Sequence, residues 1–168
     1  YDYEGRRAVI QTQDPEKARA TQRFWYFGAG AGLDFGTSGT TATSIAASCG
    51  STCTSGEGVT VATNRSGDLL FWTNGLTIWN RDGNVMLNST GLNANNSTTQ
   101  AAAFFPLNKS LTKYVVVTNN AEAGVGNEGT LYYSIIDMAL DGGRGGIVTT
   151  QKNLPLWGAT TGYTSEAL

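Results

Sequence analysis

Residues 69–80 read LLFWTNGLTIWN and place two apolar segments on either side of an Asn-Gly dipeptide. Asn-Gly is the strongest two-residue signal for a β-hairpin, because both residues adopt the positive φ angles that a tight turn needs. We therefore predict a strand over residues 69–73, a two-residue turn at Asn74-Gly75 and a returning strand over residues 76–80.

Thr77 interrupts the second apolar segment of this hairpin. Because side chains alternate between the two faces of a strand, we expect Leu76, Ile78 and the indole of Trp72 to share buried surface. Trp79 is also expected in the core, since it lies in the same apolar segment.

Apolar segments separated by polar turns recur along the chain on both sides of the hairpin. Further strands are predicted at residues 24–28, 59–63, 101–105, 114–118, 131–136 and 147–150. Short strands at this spacing, joined by Gly- and Asn-rich turns, are typical of sandwiches, barrels and propellers. The fold class predicted is therefore all-β, built of antiparallel β-meanders in a propeller-blade-like or sandwich arrangement, with an extended N-terminal arm.

The composition is that of a turn-rich β protein. Only 14% of the 168 residues are charged, against roughly 25% in a typical domain, while Gly occurs 22 times. The net charge of −2 argues against nucleic acid as a partner, because the phosphate backbone attracts basic patches. No apolar stretch approaches the roughly 18 residues of a membrane span, so membrane insertion is not expected.

Residues 1–22 differ from the rest because they hold much of the charge, including Asp2, Glu4, Arg6 and Arg7. We interpret them as a charged arm, either frayed or adding a strand to a neighbouring subunit. Residues 23–168 are then a single β-rich domain. The first residue is Tyr and not Met, which we read as a processed N-terminus.

Cys49 and Cys53 lie in a small polar loop, and we expect them to form a disulfide in an oxidising compartment. Two free thiols or half of a metal site are the alternatives. The metal alternative lacks ligands, because the chain has no other cysteine and no histidine.

The absence of histidine removes the commonest general base and the Ser-His triads from consideration. A carboxylate pair could still act on a glycosidic bond. The candidate acids are Asp34, Glu57, Asp68, Asp82, Asp137 and Asp141. Most of them lie in turn sequences where aspartate accepts bonds from backbone N–H groups. Glu57 and Asp137 are the two that this explanation covers least well, and overall we expect no catalytic residues.

Several turns could in principle bind a ligand such as calcium, phosphate or a sugar. The turns at residues 82–84 and 141–143 are rich in oxygen ligands for calcium, but the twelve-residue calcium loop is absent. Glycines at residues 28–32 lack the helix that a phosphate-binding turn requires. No cofactor or metal is therefore expected. Trp25, Trp72, Trp79 and Trp157 could each stack on a sugar ring, but core packing is favoured for Trp72 and Trp79. Trp157 lies in a segment flanked by Pro and Gly and is the best exposed candidate for contact with a ligand.

Asn-x-Ser/Thr sequons occur at four positions, all in predicted turns or loops. They lie at Asn64, Asn88, Asn96 and Asn108. They would carry glycans in a eukaryotic secreted protein and are usually inert in a bacterial one.

The ordered series of motifs from residue 24 onward resembles the N-terminal region of large secreted cell-surface proteins of Bacteroidota, which are often exported by type IX secretion and gliding-associated. The resemblance rests on residues 24–28, 31–35, 66–75, 78–81, 132–138, 141–143 and 152–156. It implies a β-propeller-like beginning and brings no catalytic residues with it. Two features depart from the family pattern, namely the charged arm and the insert at Cys49–Cys53. The relatives continue into further blades beyond residues 165–168, whereas roughly two blade-like meanders are counted here.

These observations together predict a non-catalytic extracellular or cell-surface protein. We expect it to assemble with other copies of itself into a surface fibre or layer, through strand addition by the N-terminal arm. An adhesin or carbohydrate-binding module, with surface polysaccharide as its partner, is the first alternative. A secreted polysaccharide hydrolase is the second.

Overall fold

The computed structural model describes residues 22–27, 30–36, 41–46, 57–107, 109–121 and 129–156. The regular structure in this part of the chain is antiparallel β, and its short helical segments include 3-10 turns at Asp141–Gly143 and Thr149–Gln151. Eleven strands of the described residues form three sheets that follow one another in the sequence. The prediction of an all-β, antiparallel fold is confirmed, and the described strands close neither a barrel nor a propeller.

The first sheet holds β1 (Phe24–Tyr26), β2 (Ala31–Asp34) and β3 (Thr43–Ala46) in that order. Only β1 was predicted, because the Gly-, Ser- and Thr-rich sequence after it is typical of turns. The structure explains the strand at Gly32, where a Cβ atom would lie 2.5 Å from Cδ1 of Tyr26. The Tyr26 ring thus covers the glycine across the strand pair. The expected count of two meanders is wrong, since this sheet is a third.

The second sheet holds β4 (Thr60–Thr63), β5 (Leu69–Thr73) and β6 (Ile78–Asn80). The hairpin is present, but the register of β5 and β6 leaves residues 74–77 as a four-residue loop, so the predicted two-residue turn is wrong. Side chains close the longer loop. Oδ1 of Asn74 accepts bonds from the backbone N–H groups of Leu76 and Thr77, at 3.1 and 3.0 Å.

The two tryptophans of the hairpin lie directly opposite each other across β5 and β6. Their rings are stacked, with centroids 4.2 Å apart, and both side chains are buried. Phe71 and Ile78 point to the other face and join a different apolar cluster. The expectation that Ile78 and Trp72 share buried surface is therefore wrong, because the real register places them on opposite faces of the sheet.

The third sheet is the largest. It runs β10 (Gly146–Ile147), β9 (Leu131–Asp137), β8 (Lys113–Asn119) and β7 (Ala102–Pro106), and β11 (Leu154–Pro155) also pairs with β9. The predicted strands for β7, β8 and β9 are confirmed to within a few residues. The short β11 was missed, since Leu154 and Pro155 carry no strand pattern of their own.

The three sheets are stacked face to face, with the second sheet in the middle. Tyr26 of the first sheet packs edge-on against Trp72, with ring centroids 5.4 Å apart. On the opposite face Phe71 packs edge-on against Phe104 of the third sheet at 4.8 Å. Both faces of the middle sheet are thereby covered.

The first strands of the sheets lie along one edge of the stack, with β1 packed beside β4 and β4 beside β7. The Thr60 hydroxyl donates a hydrogen bond of 2.6 Å to the backbone carbonyl of Ala102, which joins β4 to β7. All three are edge strands of their own sheets. This edge positions the groove described next.

Candidate functional site

The candidate site is an open groove between β1 and β4, with a volume of about 480 Å³. It forms because β1 and β4 lie side by side without pairing, each being the edge strand of its sheet. Its lining combines aromatic and polar side chains. The lining residues are Gln22, Phe24, Trp25, Tyr26, Phe27, Glu57, Val59, Thr60 and Val61.

Aromatic exposure in the groove follows from the alternation of side chains along β1. Tyr26 points inward and is buried against Trp72, whereas Trp25 and Phe27 point outward. Trp25 is 51% exposed and Phe27 is 47% exposed. The Trp25 ring packs on Phe35, the residue that follows β2, with centroids 5.5 Å apart. A large planar surface is thus held in place and faces solvent.

Glu57 supplies the carboxylate of the groove. The side chain is exposed, and Oε2 accepts a hydrogen bond of 3.3 Å from the Thr99 hydroxyl. The neighbouring Gly58 fixes this position, because a Cβ there would lie 2.7 Å from the Thr99 carbonyl oxygen. An aromatic face beside a carboxylate can pack against the apolar side of a ligand and accept its hydroxyl protons.

Asp34 and Asp137, both candidate acids, are engaged in ion pairs. Asp34 accepts two bonds of 2.6 Å from the Arg23 guanidinium. The Arg23 side-chain hydrogen bond holds the pKa of Asp34 below its ordinary value, against the opposing effect of burial. Asp137 accepts a backbone bond from Ala139 and pairs with Lys113 at 3.2 Å, and these lower its pKa.

Asp68 and Asp82 lie in turns, as expected, but the backbone bonds of those turns go to asparagines. Oδ1 of Asn80 accepts from the N–H groups of Asp82 and Asn84. Asp82 instead pairs with Arg144 at 2.7 Å. Oδ1 of Asn64 likewise accepts the N–H of Asp68 at 2.9 Å. Sequence reasoning assigned the capping to aspartate and overlooked the asparagine that precedes each turn.

Asp141 is exposed and has a positive φ of 49°. Asp82 and Asp141 both lie near the Arg144 guanidinium, whose pKa they raise. Among the described residues, no three His, Cys, Asp or Glu side chains cluster closely enough to hold a metal ion.

The tryptophans divide between core and surface. Trp72 and Trp79 belong to the core, as predicted from their apolar strands. Trp25 is the exposed tryptophan of the described residues. Trp157 falls outside them, as do Cys49, Cys53 and Asn108, so the predicted ligand contact, disulfide and fourth sequon stay predictions.

The other three sequons can be located. Asn88 donates from Nδ2 to the Ile147 carbonyl and the Thr149 hydroxyl, both at 3.2 Å. Asn64 donates to Asp68 at 2.9 Å. Asn96 is half-buried. Asn64 and Asn88 thus have structural roles.

Sequence reasoning missed the exposure of Phe27 and Phe105, because both lie in apolar runs that predict burial. The signal that could have found them is the one-residue alternation, since Phe27 follows Tyr26 and Phe105 follows Phe104. In each pair the first ring is packed in the core clusters or against them, and the second faces outward.

No helix in the described part of the chain is long and apolar enough to cross a membrane. Comparison with known proteins gives no match to a family model, to a curated protein or to a solved structure.

Proposed function

We propose that this protein is a non-catalytic extracellular structural protein, a self-assembling subunit of a surface fibre or layer. The observation that carries the proposal is the exposure of large aromatic side chains at both ends of the sheet stack. Trp25 of the first sheet and Phe105 of the third are 51% and 53% exposed. Contiguous exposed apolar surface on an otherwise polar protein is typical of association sites.

The edge strands give a second route to assembly. Each of β1, β4 and β7 is the last strand on its side of its sheet, and an edge strand offers backbone groups to an added strand. The expected donor, the arm of residues 1–22, lies outside the described residues except for Gln22. Strand addition by this arm therefore stays part of the proposal.

Assembly is tested by sedimentation velocity and negative-stain electron microscopy of the purified chain. Concentration-dependent association, ending in fibres or sheets, is the expected result. Deleting residues 1–22 should weaken assembly and leave the far-ultraviolet circular dichroism of the β core unchanged. A chain that stays monomeric at concentrations up to about 1 mM would contradict the proposal.

The groove between β1 and β4 favours a second candidate function, that of an adhesin or carbohydrate-binding module. Gln22, Trp25, Glu57 and Thr60 all line this one cleft. A glycan array is the direct test. Trp25→Ala should abolish any binding found there, while Val85→Ala, at an equally exposed apolar residue elsewhere, should not.

The hydrolase alternative has less support, because Asp34, Asp82 and Asp137 are each engaged by a basic side chain. Glu57 lies in the groove and is the acid on which a hydrolase would depend. Purified protein and its Glu57→Gln variant, assayed on a panel of polysaccharides, decide the matter. Hydrolysis by the first and not by the second would revive this alternative.

A further inference from the structure

The two outer faces of the sheet stack are both apolar. On the first sheet, Trp25 and Leu33 are cross-strand partners on the face turned away from the second sheet, and Phe35 contacts Trp25. On the third sheet, Phe105, Val115 and Ile135 form one cross-strand row that also faces away from the second sheet. We name these the Trp25 face and the Phe105 face.

Exposure of the Phe105 face increases from β9 to β7. Ile135 is 7% exposed, Val115 is half-buried and Phe105 is 53% exposed. Leu107, in the next row, is 52% exposed. The accessible part of the Phe105 face is therefore at β7, the strand at the same edge of the stack as β1.

Charge does not prevent the two faces from meeting. Trp25, Leu33 and the partner of Leu33, Ser44, are uncharged. The Phe105 face carries Lys113 and Asp137 at one end, and these two pair with each other at 3.2 Å. Contact between the faces would therefore leave no unpaired charge without solvent, which is the costly arrangement at an interface.

The contacts inside the chain show which face should meet which. The inner face of the first sheet packs on the second sheet through Tyr26 and Trp72. The other face of the second sheet packs on the third through Phe71 and Phe104. Each contact joins one sheet to the sheet that follows it. Placing the Trp25 face of a second copy on the Phe105 face continues this series, with an edge-on aromatic contact available as at the two existing interfaces.

We propose that copies of this chain associate head to tail, the Trp25 face of one copy docking on the Phe105 face of the next. This inference rests on the proposed self-assembly and specifies its contact. A second copy is the occupant because the chain itself carries both halves, so the contact is heterologous and repeats from copy to copy.

The size of the contact predicts its strength. Three strands of four residues, at about 4.8 Å between strands and about 3.4 Å per residue, cover roughly 200 Å² of sheet. A standard stable interface buries about 800 Å² on each partner. A single contact should therefore be weak, with association visible only at high protein concentration, towards the millimolar range.

The test uses two variants that each spoil one face, Trp25→Glu and Phe105→Glu. Both residues are about half exposed, so the folded core should be retained, as checked by circular dichroism and thermal unfolding. Val85→Glu is the matched control, because Val85 is 50% exposed but lies beside β6, outside both faces. Sedimentation velocity is run on each variant alone and on an equimolar mixture.

We expect the unmodified chain and Val85→Glu to associate and each face variant alone to stay monomeric. The mixture should form one-to-one pairs and nothing larger, since each variant retains one intact face and the two intact faces are complementary. Loss of association in only one of the two variants would mean that like faces meet, and it would overturn the inference. A mixture that fails to pair would overturn it as well.

Two further outcomes separate this inference from the proposed function. If both face variants still assemble like the unmodified chain, another surface carries assembly, so the head-to-tail contact is overturned while the proposed function stands. If the unmodified chain does not associate at all, both fail.

Discussion

Tyr114 is 4% exposed in the core between the second and third sheets, and its hydroxyl has no hydrogen-bond partner among the described groups. Its ring packs edge-on against Phe71, at 5.1 Å between centroids. An unsatisfied buried hydroxyl loses its bonds to water and gains none in return. The ring thus stabilises the core and the hydroxyl opposes it, and burial raises the pKa of Tyr114.

We predict that Tyr114→Phe raises the free energy of unfolding by about 1 kcal/mol, because the ring packing is kept and the desolvated hydroxyl is removed. The contrasting change is Thr98→Val. The Thr98 hydroxyl is fully buried and donates to the Ala121 carbonyl, so its loss should cost about 1–3 kcal/mol. Urea unfolding of the three proteins measures both effects. A destabilised Tyr114→Phe variant would show that the hydroxyl is satisfied in solution.

The ion pair of Arg23 and Asp34 makes stability depend on acid pH. Its two hydrogen bonds join the residue before β1 to the end of β2, and the pKa of Asp34 is lowered. A carboxyl with a lowered folded-state pKa contributes stability that is present above its unfolded pKa, about 3.9, and is lost as the pH falls through the folded value. Because the pair is partly solvated, we expect about 1 kcal/mol at neutral pH.

As the pH falls from about 7 to about 2, the free energy of unfolding should therefore decrease less steeply for Asp34→Asn than for the unmodified chain. Arg23→Gln should flatten the acid limb in the same way, since it removes the partner instead of the carboxyl. An Asp34→Asn variant with the original slope would contradict the assignment.

At the scale of the elements, the strands that the sequence predicted are those with continuous apolar residues. The strands that it missed are those whose extended conformation depends on pairing with a neighbouring strand. β8 and β9 contain apolar segments, such as residues 114–117, that favour a strand whichever strand pairs with them. β3 is Thr-Ser-Ile-Ala, and only Ile45 packs into a core cluster. Its strand state depends on β2, a neighbour that the local pattern cannot identify.

The site was predictable to the same limited extent. The sequence predicted a strand over residues 24–28 and singled out Glu57 and Asp137 among the acids. That β1 and Glu57 meet in one groove follows from β1 lying beside β4. That is a contact between two sheets. Its two strands are separated by a long stretch of sequence with weak strand signals, so local patterns do not reveal it.

Gly32 supports the contact between the first and second sheets. We predict that Gly32→Ala destabilises the chain by about 1–3 kcal/mol, because the new methyl group would displace the Tyr26 ring from Trp72. A double-mutant cycle isolates the cause. In a Tyr26→Leu background the same glycine change should be nearly neutral, since the obstructing ring is absent. Equal costs in both backgrounds would place the strain in the backbone instead.

Across the whole molecule, the second sheet is held to the third sheet more firmly than to the first. Asn153 accepts the N–H of Asn93 at 3.0 Å and donates to the Gly91 carbonyl at 2.9 Å, and Arg144 pairs with Asp82. These bonds tie the loops after β6 to the segment after β9. The second and third sheets thus form one unit, while the first sheet is joined mainly through Tyr26 and its neighbours.

This difference predicts the order in which the fold opens. The apolar cluster between the second and third sheets contains ten buried residues, whereas the one involving the first sheet contains three. Because buried apolar area sets the free energy of local opening, backbone amides of β1–β3 should exchange with deuterium at lower free energy than those of β8 and β9.

Tyr26→Leu should speed hydrogen exchange in β1–β3 and leave β8 and β9 unchanged. Val116→Ala, in the larger cluster, should cost about 2 kcal/mol and speed exchange in every sheet. Acceleration of β8 and β9 by Tyr26→Leu would instead show that the three sheets unfold as one cooperative unit.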